Sequence, residues 1–345
     1  MRFWRQRRAA VFLAAAGPGA SRPVQLECEL RRDPLTGRTG RVAHFQGFQL
    51  TPPDLTRAVA HSRRGCPFCG PRLREVTPTL SQPRAPGGRL HQGEAWLFPN
   101  ISPYDRHSVV VSLTKRHYVP LGAFTQAQLV DGLAIVRRYF ELLPVSAPGT
   151  HALLLWNYMP PAGATQVHPH FQAFATDRPG WLLEEEVRCS RAYLRRHHTS
   201  YWEDLLESER REDRRLVAEG RETAWLTAFV SRGVLSDLLC LFPGHARIGE
   251  VASAAWEEFT RGLRGALRQF QREGIRSFNL ALYEAPRVQL GGTSGCTPAS
   301  HHGSTSMPPS RDPTPRHGST CWMRGSWSAA LRSWPPRCED RSAPR

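Results

Sequence analysis

Apolar positions along the chain change their period several times, and each change marks an element. His107 to Leu113 is a continuous apolar run in which Val109, Val110 and Val111 are β-branched, the pattern of a buried strand. Thr125 followed by Gln128 has capping-box spacing, and Leu129, Leu133, Val136 and Phe140 then recur at helical intervals until Pro144. Ala152 to Trp156 predicts a second buried strand. From Glu184 the pattern is helical and heavily charged, through Tyr193, Trp202 and Leu206 to about Glu219. Its charge run, Glu207 to Arg215, reads as a solvated helix face. Ala224–Val230 and Ser236–Phe242 are strand candidates broken at Gly233. Ser253 then caps a helix with the stripe Trp256, Phe259, Leu263, Leu267 and Phe270, and Gly274 lies past its end. Ser277 to Tyr283 alternates as a strand. Strand, helix, strand thus occurs twice, near 107–156 and near 224–283, which predicts an α+β fold of two related halves.

The ends differ in character. Residues 1–26 pair a basic stretch with a short Ala-rich run, the outline of a leader that is read as disordered. Residues 291–345 are rich in Ser, Pro, Arg and Gly, with isolated Trp and Cys and no sustained period. Such a segment buries too little apolar surface to offset its ordering entropy, and its abrupt onset suggests a disordered or out-of-frame tail. Between them the pattern divides into a half over 27–183 and an incomplete second half over 184–290.

Composition narrows the partners. A chain of 345 residues with 40% hydrophobic and 22% charged residues is a globular protein, and no apolar run reaches transmembrane length. The formal net charge of +16 would ordinarily point to nucleic acid. Here the excess is almost all arginine, scattered along the chain, with Lys115 the single lysine. Helical basic stripes and interleaved aromatics are missing, so nucleic acid is not the expected partner. Eight cysteines in a chain this long do not make a disulfide framework, and a reducing, cytoplasmic setting is expected.

Candidate chemistry concentrates between Asn157 and Gln172. A Gly/Ala/Pro turn runs into His168-Pro169-His170-Phe171-Gln172, where residues two apart share a face of an extended chain. His168, His170 and Gln172 then line one face, a poor core and a good site. Upstream, Gly65-Cys66-Pro67-Phe68-Cys69-Gly70 is a Cys-x2-Cys knuckle flanked by glycines, and His117 sits just past a strand end. Cys66, Cys69, His117 and His168 together supply a full tetrahedral shell, which makes one structural zinc site the expectation. His170 stays free as a candidate nucleophile toward phosphorus, and Gln172 can donate its amide to a phosphoryl oxygen. Thr165 and the Gly163-Ala164 backbone are further candidate donors in the turn.

This ordered pattern resembles the galactose-1-phosphate uridylyltransferase family of the HIT-like superfamily, from about Asp33 to Tyr283. Asp33-Pro34-Leu35-Thr36-Gly37, Phe98-Pro99-Asn100 and Ser277 to Tyr283 look like its other signatures. The resemblance implies antiparallel HIT-like sheets with packed helices, and zinc held by Cys66, Cys69, His117 and His168. It implies His170 as carrier of the nucleotidyl group, Gln172 on its phosphate, and Asn157, Thr165, Gly163 and Asn100 near the nucleotide or sugar phosphate. The reaction implied is a ping-pong exchange of a nucleoside monophosphate between a nucleotide sugar and a sugar 1-phosphate or phosphate, in a homodimer. Phe171 stands where the uridylyltransferases proper usually have glycine, which leaves galactose specificity open. Some members hold a second metal through a glutamate near Glu186 and histidines after the last strand. His301-His302 follow Tyr283 in an unrelated context, so no second metal site is expected. Two other readings use the same residues: a non-catalytic zinc-stabilised nucleotide- or nucleic-acid-binding module, and a nucleotide-sugar hydrolase.

Overall fold

The computed structural model describes residues 1–17, 20–43, 51–81, 85–143, 151–178, 180–232, 237–245, 247–284 and 319–324. Strands β1 (Trp4–Gly17), β2 (Ala20–Arg32) and β3 (Thr39–Ala43) form a separate three-stranded antiparallel sheet. Two short helices follow, α1 (Thr56–Arg63) and α2 (Arg72–Val76). Strands β4 (Leu90–Gln92), β5 (Ala95–Pro99) and β6 (His107–Ser112) precede α3 (Gln126–Glu141). Next come β7 (His151–Tyr158) and β8 (His170–Thr176). Helices α4 (Trp181–His197) and α5 (Tyr201–Glu212) lead to β9 (Leu216–Glu219), β10 (Ala224–Thr227) and β11 (Asp237–Phe242). Helix α6 (Ser253–Arg272), β12 (Phe278–Tyr283) and β13 (Ser319–Arg324) complete the described elements.

The large sheet has ten strands in the order β4-β5-β6-β8-β7-β12-β13-β11-β10-β9, antiparallel throughout. From one edge it reads β4-β5-β6-β8-β7, with α3 between β6 and β7. From the other edge it reads β9-β10-β11-β13-β12, with α6 between β11 and β12. The halves therefore correspond strand for strand, and they meet where β7 pairs β12, as the doubled strand-helix-strand pattern predicts.

One sheet face carries the main core. Burial alternates along β7, so Ala152, Leu154, Trp156 and Tyr158 point into a cluster with α3 and α6. The Thr125–Gln128 capping box forms as expected, the Thr125 hydroxyl accepting from Gln128 N at 3.2 Å and Gln128 Oε1 accepting from Thr125 N at 3.1 Å. Helices α3 and α6 are tied by Gln126, whose amide donates to Glu257 O at 2.7 Å and Thr260 Oγ1 at 2.6 Å. On the opposite face α4 and α5 cover β10 and β11 through Leu183, Val187, Leu205 and Leu206. Over the first half, Phe68 of the knuckle and Leu73 of α2 pack on that face against Phe98 and Val110.

Several expectations need correcting. Residues 4–17, expected to be disordered, pair antiparallel with β2, both arms lacking helical periodicity. The base of this pair is held by Arg31 and Arg38, which donate to Phe229 O at 3.1 Å and Val230 O at 2.9 Å. Residues 319–324 of the expected tail insert as β13 between β12 and β11, whose facing backbone groups would otherwise lack partners. The second half thus gains the strand that answers to β8. The rest of 291–345 lies outside the described residues. Helix does not run to Glu219: Asp213 closes α5 at φ 48° and β9 follows. Within the charge run Glu207 to Arg215, Glu209 is 0% exposed and paired with Arg215, so that helix also buries charge on its inner face. Ala252, not Ser253, is the N-cap of α6, and Ser253 makes no capping bond.

Candidate active site and metal centre

Four ligand-bearing side chains converge from three places in the chain. Cys66 and Cys69 come from the knuckle, His117 from the loop after β6, and His168 from the residues leading into β8. Their ligand atoms all lie within 4.8 Å of one another. The Sγ–Nδ1 separations are 3.6 Å for Cys66–His168, 3.4 Å for Cys69–His168 and 3.4 Å for Cys69–His117. A tetrahedral ion with thiolate bonds of about 2.3 Å and imidazole bonds of about 2.05 Å sets neighbouring S and N donors about 3.6 Å apart. The donor set fits such an ion.

Hydrogen bonds on the far side of each imidazole fix its tautomer. His168 Nε2 donates to Thr114 O at 2.7 Å, which leaves Nδ1 unprotonated toward the thiols. Ser62 Oγ donates to Val59 O at 3.1 Å and so accepts from His117 Nε2 at 2.9 Å, again freeing Nδ1. Burial drives the His168 pKa down to about 4 and lowers that of His117, with Arg63 adding to the second effect. Both rings are therefore neutral, with Nδ1 free to bind a cation. Burial also pushes the Cys66 thiol up to about 12, so a thiolate there needs a cation beside it. Thr114 is itself anchored: its hydroxyl donates to Glu94 Oε2 at 2.5 Å and accepts from Gln128 Nε2 at 3.1 Å. That hydroxyl is the chief reason the Glu94 pKa lies below the ordinary carboxylate value.

His170 is the first residue of β8 and carries a different arrangement. Its Nδ1 donates to the His168 carbonyl at 2.7 Å, so the lone pair is on Nε2. Burial lowers its pKa and keeps the ring neutral. Phe68 of the knuckle packs edge-on against both His168 and His170, with centroids 5.8 and 5.4 Å apart. His170 is only 6% exposed beneath it, which limits the approach of water.

Register places the other candidates. Ser112 pairs His170, Val110 pairs Gln172, and Leu155 pairs Gln172 from the opposite side. Cross-strand partners share a face, so Asn157, two residues beyond Leu155, lies on the face of His170 and Gln172. Asn100 follows β5 on that same face; its side chain accepts from Ser102 N at 3.0 Å and its N donates to Ser108 O at 3.0 Å. Thr165 is exposed in the turn before His168. Gly163 has φ 91°, which favours glycine, but its N–H is already bonded to Pro160 O at 2.8 Å. Ala164 N likewise bonds Met159 O at 3.3 Å. The expectation that these two backbone groups are free donors is corrected: they hold the turn.

Phe171 points away from this face. It is 1% exposed, its ring centroid lies 5.1 Å from that of Trp156, and it takes the space left by Gly132 of α3. A Cβ on Gly132 would sit 3.0 Å from the Phe171 ring. Its side chain therefore belongs to the core and not to the face of His170 and Gln172. Glu186, which stands near the glutamate that some members use for a second metal, pairs with Arg232 and accepts from Tyr283 OH at 2.6 Å. Residues that pattern reading passed over are Ser62, Thr114 and Asn279. Thr114 acts through a backbone carbonyl, for which no side-chain signal exists, while Asn279 stood inside a quoted stretch without a role.

A cavity of about 490 Å³ lies at the far end of β6, β7 and β8, lined by residues including His107, Phe140, Ala152, Thr176, Arg247 and Glu284. It contains none of the candidate site residues.

The chain matches no protein-family profile. Over 261 residues it is 25% identical to an uncharacterized protein of Archaeoglobus fulgidus, covering 75% of this chain and 77% of that one. Its fold is shared with an ADP-glucose phosphorylase from Arabidopsis thaliana with bound ADP-glucose, at TM-score 0.59 and 13% identity, covering 87% of this chain and 90% of that one. It is likewise similar to a uridylyltransferase mutant, at TM-score 0.54 and 16% identity over 86% and 85% of the two chains. A GalT-like protein from Arabidopsis thaliana superimposes at TM-score 0.57 and 13% identity, over 87% and 89%. These likenesses define the class: an α+β fold of antiparallel sheets and packed helices with GalT-like architecture. Among the described residues no helix is long and apolar enough to cross a membrane.

Proposed function

We propose that the protein is a nucleotidyltransferase that passes a nucleoside monophosphate from a nucleotide sugar, through His170, to a sugar 1-phosphate or to phosphate. The observation that carries this reading is the 2.7 Å bond from His170 Nδ1 to the His168 carbonyl, which fixes a neutral ring with its Nε2 lone pair free. A neutral, oriented imidazole is a competent nucleophile toward phosphorus. In the first step an Nε2–P bond forms to the α-phosphorus and the P–O bond to the sugar phosphate breaks. The sugar 1-phosphate leaves with that electron pair, and the charge gained by the imidazolium is spread through Nδ1–H toward the His168 carbonyl. In the second step an acceptor phosphate oxygen attacks phosphorus, the P–N bond breaks, and His170 returns to its neutral form.

Gln172, one strand step along the same face, donates to a non-bridging phosphoryl oxygen in this scheme. Asn157, Thr165 and Asn100 contact the nucleotide or the sugar phosphate. The metal cluster is read as zinc, held by Cys66, Cys69, His117 and His168; with four protein ligands it is structural and fixes the backbone of His168 on which His170 leans. The shared fold with a uridylyltransferase and an ADP-glucose phosphorylase supports the reaction class and leaves two donors to try. The shielding of His170 beneath Phe68 favours transfer over hydrolysis.

The test is the intact mass of the zinc-loaded protein after brief incubation with UDP-glucose and, separately, ADP-glucose. A nucleoside-monophosphate adduct on the wild type and none on His170→Gly is expected, and the productive donor names the base. A folded, zinc-loaded wild type that takes up neither nucleotide would overturn the reading.

A further inference from the structure

Asn279 lies in the second half of the molecule, on β12, directly opposite Asn157 on β7. Its Nδ2 donates to Asn157 Oδ1 at 2.8 Å and to the backbone carbonyl of Ala162 at 2.7 Å. The carbonyl can only accept, so the Asn279 atom facing it must be the nitrogen. Both hydrogens of that nitrogen are then committed, and the Asn157 atom facing it must be the oxygen. One backbone carbonyl thus removes the flip ambiguity of two amides in succession. The consequence is that the Asn157 Nδ2 hydrogens point away from Asn279, on the sheet face that carries His170 and Gln172.

We infer that Asn279 is a positioning residue for the nucleotidyl-transfer site, holding the Asn157 amide with its N–H groups toward the substrate's phosphate or sugar oxygens. The inference rests on the reading given under Proposed function. Phosphate oxygens only accept, so an Asn157 turned the other way would present oxygen to oxygen. The Ala162 bond adds a second effect: it ties the turn Met159–Ala164, which precedes His168, to the other half of the sheet. Met159 sits in that turn at φ 72°, a conformation non-glycine residues rarely hold without outside support. The second half therefore contributes an orienting group to a site whose reacting residues all come from the first.

The test is a double-mutant cycle on the zinc-loaded full chain with the productive nucleotide sugar. The readouts are the maximum rate of adduct formation, the half-saturating concentration, the zinc content and the melting temperature. Removing one preorganised donor costs roughly 100- to 1,000-fold in rate. Asn157→Ala is expected to slow the maximum rate within that range and Asn279→Ala by a smaller factor, and the double variant to be slower than Asn157→Ala by less than the Asn279→Ala factor, the remainder being the lost tie to the turn. Asn279→Asp, nearly isosteric, is expected to be slower than Asn279→Ala, because it draws the Asn157 N–H groups away from the substrate. Wild-type rate in a folded Asn279→Ala, or effects that multiply in the double variant, would overturn the inference while leaving nucleotidyl-His170 intact. A wild type without adduct would overturn both, so the wild type run beside the variants tells the two failures apart.

Discussion

His170 Nδ1 lies 2.7 Å from the carbonyl oxygen of His168, two residues back along the same strand approach. The candidate metal ligand and the candidate nucleophile are thereby joined through one peptide carbonyl, and the geometry of the first sets the tautomer of the second. A measurable consequence is that free His170 carries its proton on Nδ1. Nitrogen chemical shifts of the zinc-loaded protein should show a protonated Nδ1 and a pyridine-like Nε2. The nucleotidyl adduct should map to Nε2. An adduct on Nδ1 would show that the carbonyl contact does not govern the site.

Ser62 bears on the metal rather than on the chemistry. Its hydroxyl accepts from His117 Nε2 at 2.9 Å and donates to Val59 O at 3.1 Å. Loss of such an orienting partner typically costs 10- to 100-fold in metal affinity, so Ser62→Ala should weaken zinc binding by roughly that factor. Competition against a chromophoric chelator measures it. Cys66→Ser, which removes a ligand outright, should be far worse, and equal affinities for Ser62→Ala and wild type would show that water replaces the hydroxyl.

Much of this site was legible before any coordinates. The Cys-x2-Cys knuckle, His117 and the His168/His170 alternation are side-chain signals with fixed spacing, and the structure brings the four candidate ligands together. The Thr125 capping box and the α3 stripe were equally plain because both are local. What could not be read depends on pairing across long stretches of chain. Strand β13 looks like tail because what places it is its pairing with β12 and β11, far back in the chain. Strand β1 looks like a leader because its partner, β2, gives it register that no local pattern encodes. The orienting groups Thr114 O and Ala162 O are backbone atoms, invisible to residue type.

Phe171 gives a prediction that separates packing from specificity. Its ring fills the space between Trp156 and Gly132 on the core side of β8. Phe171→Ala should therefore destabilise the protein by about 3–5 kcal/mol, the usual cost of emptying a buried aromatic site. Urea unfolding reads that cost. The ratio of rates with different sugar nucleotides should stay near the wild-type value in whatever fraction remains folded. A changed donor preference at unchanged stability would place the side chain in contact with substrate and overturn the assignment to the core.

Glu284 makes stability depend on pH in a direction opposite to that of an ordinary paired carboxylate. Its oxygens accept from Ala152 N at 3.3 Å and Ile248 N at 3.1 Å, with Arg247 Nε at 3.9 Å. Burial nevertheless outweighs these contacts and raises its pKa above the usual 4.5. The folded chain then holds this proton to a higher pH than the unfolded chain does. Below about 4.5 both forms are protonated and the group's contribution to stability is fully present. As pH rises through the folded-state value the unfolded chain binds fewer protons than the folded one, so the contribution is lost. Between pH 5 and pH 8 the urea midpoint of the wild type should fall relative to that of Glu284→Gln, which has no proton to lose. Comparing the two proteins cancels the titration of the cysteines and histidines they share. Parallel profiles would mean that Glu284 ionises equally in both states, and that its two backbone donors and Arg247 compensate for its burial.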